Sequence, residues 1–200
     1  ERPGKERPRR IGLASNRQPA CKRPGKPGFT WKKKPMSADF IVISGGPCSG
    51  KTTVIDALAE RGQVTIPEAA TELIRDPAFD HLRADPHEFQ RQVLLRQLEN
   101  EKRMLETVEA GTTVFLDRGI ADGFGYLKYH GLEPFEELID AWAENRRRTR
   151  CVLFFESRPD YQAASHRSET PDEARRIREI LLEDYRSRHD QVSLVEWLPV

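Results

Sequence analysis

The sequence predicts an α/β fold: a five-stranded parallel sheet covered by helices on both faces, three layers in all. Three observations predict it. Five short apolar runs alternate with stretches that carry a helical apolar period, the pattern of a parallel sheet buried on both sides. The first run, Phe40-Ile41-Val42-Ile43-Ser44, leads into Gly45-Gly46-Pro47-Cys48-Ser49-Gly50-Lys51-Thr52, a complete G-x-x-x-x-G-K-T phosphate-binding loop. Gly45, Glu68, Asp117 and Glu156 each stand where a run ends, and ligands of such sheets bind at the carboxyl ends of strands.

The elements follow in order. After the loop, Thr53 to Arg61 reads as a helix with Val54, Ile55 and Leu58 on one side and Gly62 as its stop. Gln63 to Pro67 is a second short strand ending at Glu68, and Ala69 to Arg75 a helix halted by Asp76-Pro77. Asp85-Pro86 opens a long helix to about Ala110, with Phe89, Val93, Leu94, Leu98, Leu105 and Val108 as its apolar side and Gly111 as a C-terminal cap. Thr112 to Leu116 is a β-branched strand ending in Asp117-Arg118-Gly119. Two helices follow, near Ala121–Tyr129 and Pro134–Arg148, then the strand Cys151–Phe155. Residues 156–171 read as a polar loop, Asp172–Arg188 as a helix carrying Ala174, Ile177, Leu181 and Tyr185 on one side, and Ser193–Leu198 as a last strand.

The loop points to a nucleoside triphosphate. Its glycines let backbone N–H groups converge on phosphate, and the helix dipole adds positive potential there. The expected cradle is Gly45, Gly46, Pro47, Cys48, Ser49, Gly50, Lys51, Thr52 and Thr53, with Lys51 reaching the β/γ oxygens and Thr52 completing a Mg²⁺ shell. Asp117, at the end of Val114-Phe115-Leu116, is placed to hold the same Mg²⁺ through water, or to cap the next helix. Arg118 projects from that edge toward phosphate or acceptor, or forms a surface ion pair. Glu68, across the cleft, could accept the proton of an attacking hydroxyl, or serve as a first-turn helix acid. The 156–171 loop carries Arg158 and Arg167; Arg167, at its middle, could close over the γ-phosphate or be a solvated arginine. Gln90, Gln97 and Glu101 share one stripe of the long helix, facing either an acceptor pocket or solvent.

Charge is unevenly spread. Residues 1–38 hold 12 Lys/Arg against 2 Glu and 6 of the 14 prolines, leaving 21 Lys/Arg against 30 acids in 39–200. The first segment cannot bury enough surface to offset chain entropy and reads as a disordered, basic, Pro-rich extension. It is either an arm for nucleic acid or anionic lipid, or sequence ahead of a start at Met36. Cys21, Cys48 and Cys151 are odd in number and widely spaced, which suggests neither a disulfide framework nor a zinc site. With no long apolar run and no signal-peptide pattern, a cytoplasmic setting and no transmembrane segment are expected.

Several phrases together resemble one family: FIVISGGPCSGKTTVIDALAERG, IPEAATELIRD, FQRQVLLRQ, VFLDRGIADGFGYLKYHGL and RSETPDEARRIREILLEDY. They look like the small P-loop ATPases that carry an AAA-type label, among them NadR-like kinase domains and a eukaryotic branch named for translocation defects of a TRP-like channel. The resemblance spans about residues 39–198. It implies a P-loop NTPase fold with a nucleoside/nucleotide-kinase-like core and strand order 2-3-1-4-5. It also implies that Glu68 is the acid that acts as base in deoxynucleoside kinases. Asp117-Arg118 would then be the Asp-Arg pair of thymidylate-type kinases, and Arg167 the lid arginine. Family members continue past Leu198-Pro199 with a further short helix, so the C-terminus is expected to be truncated.

The domain 39–200 is too short for a ring-forming AAA+ motor, and no Asn-Lys-x-Asp guanine-reading motif occurs. Two functions are expected of such a chain. One is ATP-dependent (or GTP-dependent) phosphoryl transfer to a small acceptor such as a nucleoside or nucleotide. The other is a nucleotide-dependent regulatory module that binds lipid or protein and hydrolyses slowly.

Overall fold

The computed structural model describes residues 38–157 and 169–196. The strands are β1 (Ala38–Gly45), β2 (Val64–Ile66), β3 (Thr112–Asp117), β4 (Thr149–Phe155) and β5 (Val192–Val195). They form one parallel sheet in the order β2-β3-β1-β4-β5, the order that the resemblance implies. The helices are α1 (Lys51–Glu60), α2 (Ala69–Arg75), α3 (Pro86–Thr107), α4 (Asp122–Tyr129), α5 (Glu136–Asn145) and α6 (Pro171–Arg188).

Alternation along the strands builds the two faces. Val42 lies beside Leu116 on β3 and Val152 on β4, so these side chains point the same way. Val42 and Val152, with Phe154, pack against Ile177, Leu181 and Tyr185 of α6, and Leu116, Phe40, Val114 and Ile66 continue that face toward Met104 and Leu105 of α3. The intervening residues Ile43, Phe115 and Leu153 meet Val54, Ile55 and Leu58 of α1 on the other face. Being buried on both sides, β1 needs the unbroken apolar run that the sequence shows.

Helix starts are written locally. Asp85 accepts from the backbone N–H groups of His87 and Glu88, with Pro86 in the first turn of α3. Thr170 and Glu173 form a reciprocal capping box ahead of α6.

Several elements differ from expectation, most by one or two residues at an end. A 3-10 helix (Pro77–Ala84), capped by Asp76, fills the segment between α2 and α3. α3 ends at Thr107, because Val108 turns extended and Gly111 (φ +86°) belongs to the turn into β3. α5 stops at Asn145, and the backbone N–H of Arg148 folds back onto the Asn145 carbonyl. β5 begins at Val192, one residue before the expected Ser193, and residues 197 and 198 of the expected strand lie outside the described residues.

The largest difference is the inward face of α3. Its buried residues are Gln90, Leu94, Gln97 and Glu101, while Leu98 of the expected apolar side is exposed. Of the expected extension 1–38, Ala38 is instead the buried first residue of β1, and residues 1–37, like Arg158 and Arg167, lie outside the described residues.

Leu181 is fully buried where α6 meets the sheet and is packed against Gly125 of α4. Leu181→Ala is expected to lower stability by about 2–5 kcal/mol, read as a drop in the urea midpoint with an unchanged slope.

Candidate functional site

The turn after β1 has no room for ordinary side chains. Gly45 sits at φ +147°, and a Cβ there would lie 2.5 Å from the Phe155 carbonyl oxygen; one on Gly46 would lie 2.8 Å from the Arg178 Cβ on α6. Cys48 (φ 56°) and Gly50 (φ 81°) adopt left-handed backbone, curling the loop onto the start of α1. Inside this curl the buried Lys51 ammonium donates to the Gly46 carbonyl at 2.7 Å and to Ser49 Oγ at 3.1 Å. The loop therefore encloses its own lysine at the N-terminus of α1, the geometry of an anion cradle.

Thr52, one residue on, donates its hydroxyl to Asp117 Oδ2 at 2.8 Å. The other Asp117 oxygen is buried without a hydrogen-bond partner. Burial first, and then the charge of Glu68, raise the Asp117 pKa, against the pull of Lys51, Thr52 and Arg118. A hydroxyl and a carboxylate oxygen at one point suit a Mg²⁺ ion that keeps most of its water and rides on a triphosphate. Thr52 and Asp117 could hold such an ion. Asp117 does not cap the next helix, whose N-cap is Ala121.

Arg118 does not project freely. Its backbone is left-handed (φ 71°), which turns the side chain inward. Nε donates to Glu68 Oε1 at 2.6 Å, and one terminal nitrogen donates to Asp122 Oδ1 at 2.7 Å and to the Gly45 carbonyl at 3.1 Å. The second terminal nitrogen is buried without a partner. Burial alone would lower the Arg118 pKa, but Tyr126, Glu68, Asp122 and Asp117 outweigh it and hold the guanidinium charged. Glu68 is the N-cap residue of α2 without a capping hydrogen bond from its side chain; besides Arg118 it takes a hydrogen bond from Thr71.

Sequence reading missed the group that fixes Arg118. Asp122 takes hydrogen bonds from Ser44 Oγ at 2.8 Å, the Gly119 backbone N–H at 3.0 Å and the Tyr185 hydroxyl. All three side chains, Ser44, Asp122 and Tyr185, are buried, and burial followed by Asp122 pushes the Tyr185 pKa well up. At the far end of the sheet edge, Glu156 pairs with Arg178 of α6, beside Gly46.

Beyond Glu68 and Arg118 opens a cavity of about 320 Å³. Much of its wall is apolar (Val93, Leu94, Ile120, Leu138), and Gln90, Gln97, Asp122 and His130 line it beside Glu68 and Arg118. Of the two readings of that stripe, the structure selects the inward one. Volume and lining match a small-molecule pocket. The structure thus brings together the loop, Thr52, Asp117, Arg118 and Glu68. Among the described residues, no group of three or more His, Cys, Asp or Glu converges as a metal cage. Nor is any helix among them long and apolar enough to cross a membrane.

A parallel sheet in this order, with an anion cradle at the central strand and an acidic residue ending its neighbour, defines the P-loop NTPase class. Within it, the chain belongs to the AAA-domain family, whose sequence pattern matches residues 40–197. A similar curated protein is the thymidylate kinase of Halalkalibacterium halodurans, 28% identical over 178 residues, covering 80% of this chain and 84% of the relative. Among solved structures, the thymidylate kinase of Candida albicans aligns with a TM-score of 0.55 at 14% identity, over 80% of this chain and 84% of that one. The thymidylate kinase of Ehrlichia chaffeensis aligns with a TM-score of 0.52 at 15% identity, over 82% and 89%. At those identities the two structures establish the fold alone.

One buried carboxyl gives the protein a pH signature. Burial raises the Glu101 pKa from 4.5 to about 7, against Gln97, Arg148 and Asn145. Between those values the folded state binds the extra proton, so stability falls as pH rises from about 4.5 to 7, by roughly 3 kcal/mol for this group. Glu101→Gln is expected to flatten that slope, seen by comparing urea midpoints of the two proteins at pH 5 and pH 8.

Proposed function

We propose that this chain is a phosphotransferase that uses Mg·ATP, or Mg·GTP, to phosphorylate a small hydroxyl- or phosphate-bearing acceptor of the nucleoside or nucleotide class. The observation that carries this reading is the position of Arg118. It hydrogen-bonds the first carbonyl of the phosphate loop and, through Glu68, forms the wall of the cavity. A pure nucleotide binder needs no polar link from the loop to a second, ligand-sized cavity. The thymidylate kinase relative supports the reaction class, and the cavity supports the kinase-like branch of the family.

In this reading the acceptor enters the cavity and the triphosphate lies on the loop. The acceptor oxygen bonds to the γ-phosphorus, the bond to the β,γ-bridging oxygen breaks, and a hydroxyl acceptor gives its proton to Glu68. Lys51 leaves the Gly46 carbonyl to bind the β/γ oxygens. Thr52 and Asp117 would hold Mg²⁺, which would supply charge neutralisation on the phosphates. Residues Gly45 to Thr53 supply the backbone cradle. Arg118 keeps Glu68 aimed at the acceptor, and Arg167 completes the γ-phosphate contacts from the segment outside the described residues.

Three measurements test this. Mg·ATP and Mg·GTP with a panel of nucleosides, nucleotides and vitamin-type acceptors should yield one phosphorylated class; ATP binding with no product from any acceptor would overturn the proposal. Lys51→Ala should weaken triphosphate binding at least tenfold in titration calorimetry. Glu68→Gln should lower kcat by about 10²–10⁴ while the Kd for ATP shifts less than threefold. The change leaves Arg118 with one buried carboxylate fewer, so the urea midpoint of that variant is read alongside.

A further inference from the structure

Gln97 lines the cavity, and its amide is not free to turn. Its Nε2 donates to Glu101 Oε1 at 2.9 Å, one helical turn along the same inward face of α3. The other Glu101 oxygen takes a hydrogen bond from Asn145 Nδ2 at 2.5 Å, and Asn145 in turn accepts from the Thr149 hydroxyl at 3.2 Å. Above about pH 7, where Glu101 is ionised, its carboxylate only accepts. Asn145 and Gln97 must both turn a nitrogen toward that carboxylate, and the Thr149 hydroxyl, able to donate or accept, pairs with the Asn145 oxygen this leaves. A flipped amide would set its oxygen against a carboxylate oxygen and lose the bond. What remains for the cavity is the Gln97 carbonyl oxygen, an acceptor.

We propose that Glu101 and Asn145 are positioning residues that lock Gln97 with its carbonyl oxygen toward the cavity, so that the site selects acceptors presenting an N–H donor there, such as an exocyclic amino group or ring N–H of a nucleobase.

The burial of Glu101 argues for a purpose beyond packing. It is 3% exposed, and its two hydrogen-bond donors are neutral amides. An apolar side chain of similar volume would fill the space without the desolvation cost, which shows in its raised pKa. The carboxylate is useful there because it imposes direction on an amide that is otherwise symmetric in shape. A site that fixes one acceptor atom discriminates against analogues lacking the matching donor, since the buried oxygen is then left unpaired.

The inference rests on the cavity being the acceptor pocket. The test uses the full chain with Mg·ATP at pH 8.5, where Glu101 is ionised, and paired nucleosides that differ by one amino or ring N–H group: adenosine against purine riboside, guanosine against inosine, cytidine against its analogue without the 4-amino group, and uridine against 3-methyluridine. For the pair whose N–H meets Gln97, kcat/KM of the N–H-bearing member should exceed that of its partner at least tenfold. Glu101→Gln, which lets the Gln97 amide take either orientation, should reduce the ratio to below threefold with the KM for Mg·ATP unchanged. Gln97→Met, which keeps the volume and removes the oxygen, gives a second determination of the same ratio should the first variant not fold. Turnover without preference in any pair, or an undiminished ratio in the variants, overturns the inference alone. Partial loss of folded protein lowers both members equally, so the folded fraction of a variant still reports the ratio. No turnover with any nucleoside or other acceptor overturns the phosphotransfer reading and this inference with it.

Discussion

The buried guanidinium of Arg118 ties this molecule together. Arg118 is taken out of water at the carboxyl end of β3, where an unpaired guanidinium would cost several kcal/mol. Glu68 and Asp122 offset that cost from two different elements, and the Gly45 carbonyl takes a third bond from a third element. Asp122 is held in turn by Ser44 on β1 and Tyr185 on α6. Strand β1, the phosphate loop, α2, α4 and α6 therefore meet through one charge. The groups that would handle a phosphate are part of the packed core rather than decoration on it.

That arrangement sets how the two halves of the site differ. On the loop side, position is dictated by backbone: close contacts at Gly45 and Gly46, left-handed residues, and a lysine folded into the loop's own carbonyl. On the cavity side it is dictated by side chains borne on rigid helices. A loop of that kind reads phosphate, which is common to every triphosphate. A helix face with fixed amides reads what distinguishes one small molecule from another.

Much of this was legible in the sequence, and the reason differs from residue to residue. The loop is contiguous, so its chemistry and its flanks are visible together. Glu68 and Asp117 were readable because each ends an apolar run, and a strand end is a location as well as a pattern. The role of Asp122 was not, since a polar residue at a helix start ordinarily faces water and its partners Tyr185 and Ser44 lie 63 and 78 positions away; Tyr185 was readable only as part of one side of its helix. The Gln90–Gln97–Glu101 stripe was ambiguous for another reason. Periodicity tells which positions share a face of α3, but only packing tells which face turns inward. Leu98, assigned to the apolar side by the same logic, is left at the surface. The 3-10 helix at 77–84 mixes apolar, charged and helix-ending residues too evenly for any period to emerge.

The left-handed backbone at Arg118 has a consequence for how this position can change over generations. Glycine or asparagine would relax the φ of 71° but surrender the cation that Glu68 and Asp122 require. Lysine would keep the charge but not the planar fork that reaches two carboxylates and a carbonyl at once. The conformation asks for one kind of residue and the electrostatics for another, so each neutral path away from arginine closes on one side or the other. Drift around this site must go through coordinated replacement of arginine with its acids, and isolated exchange at the position is barred.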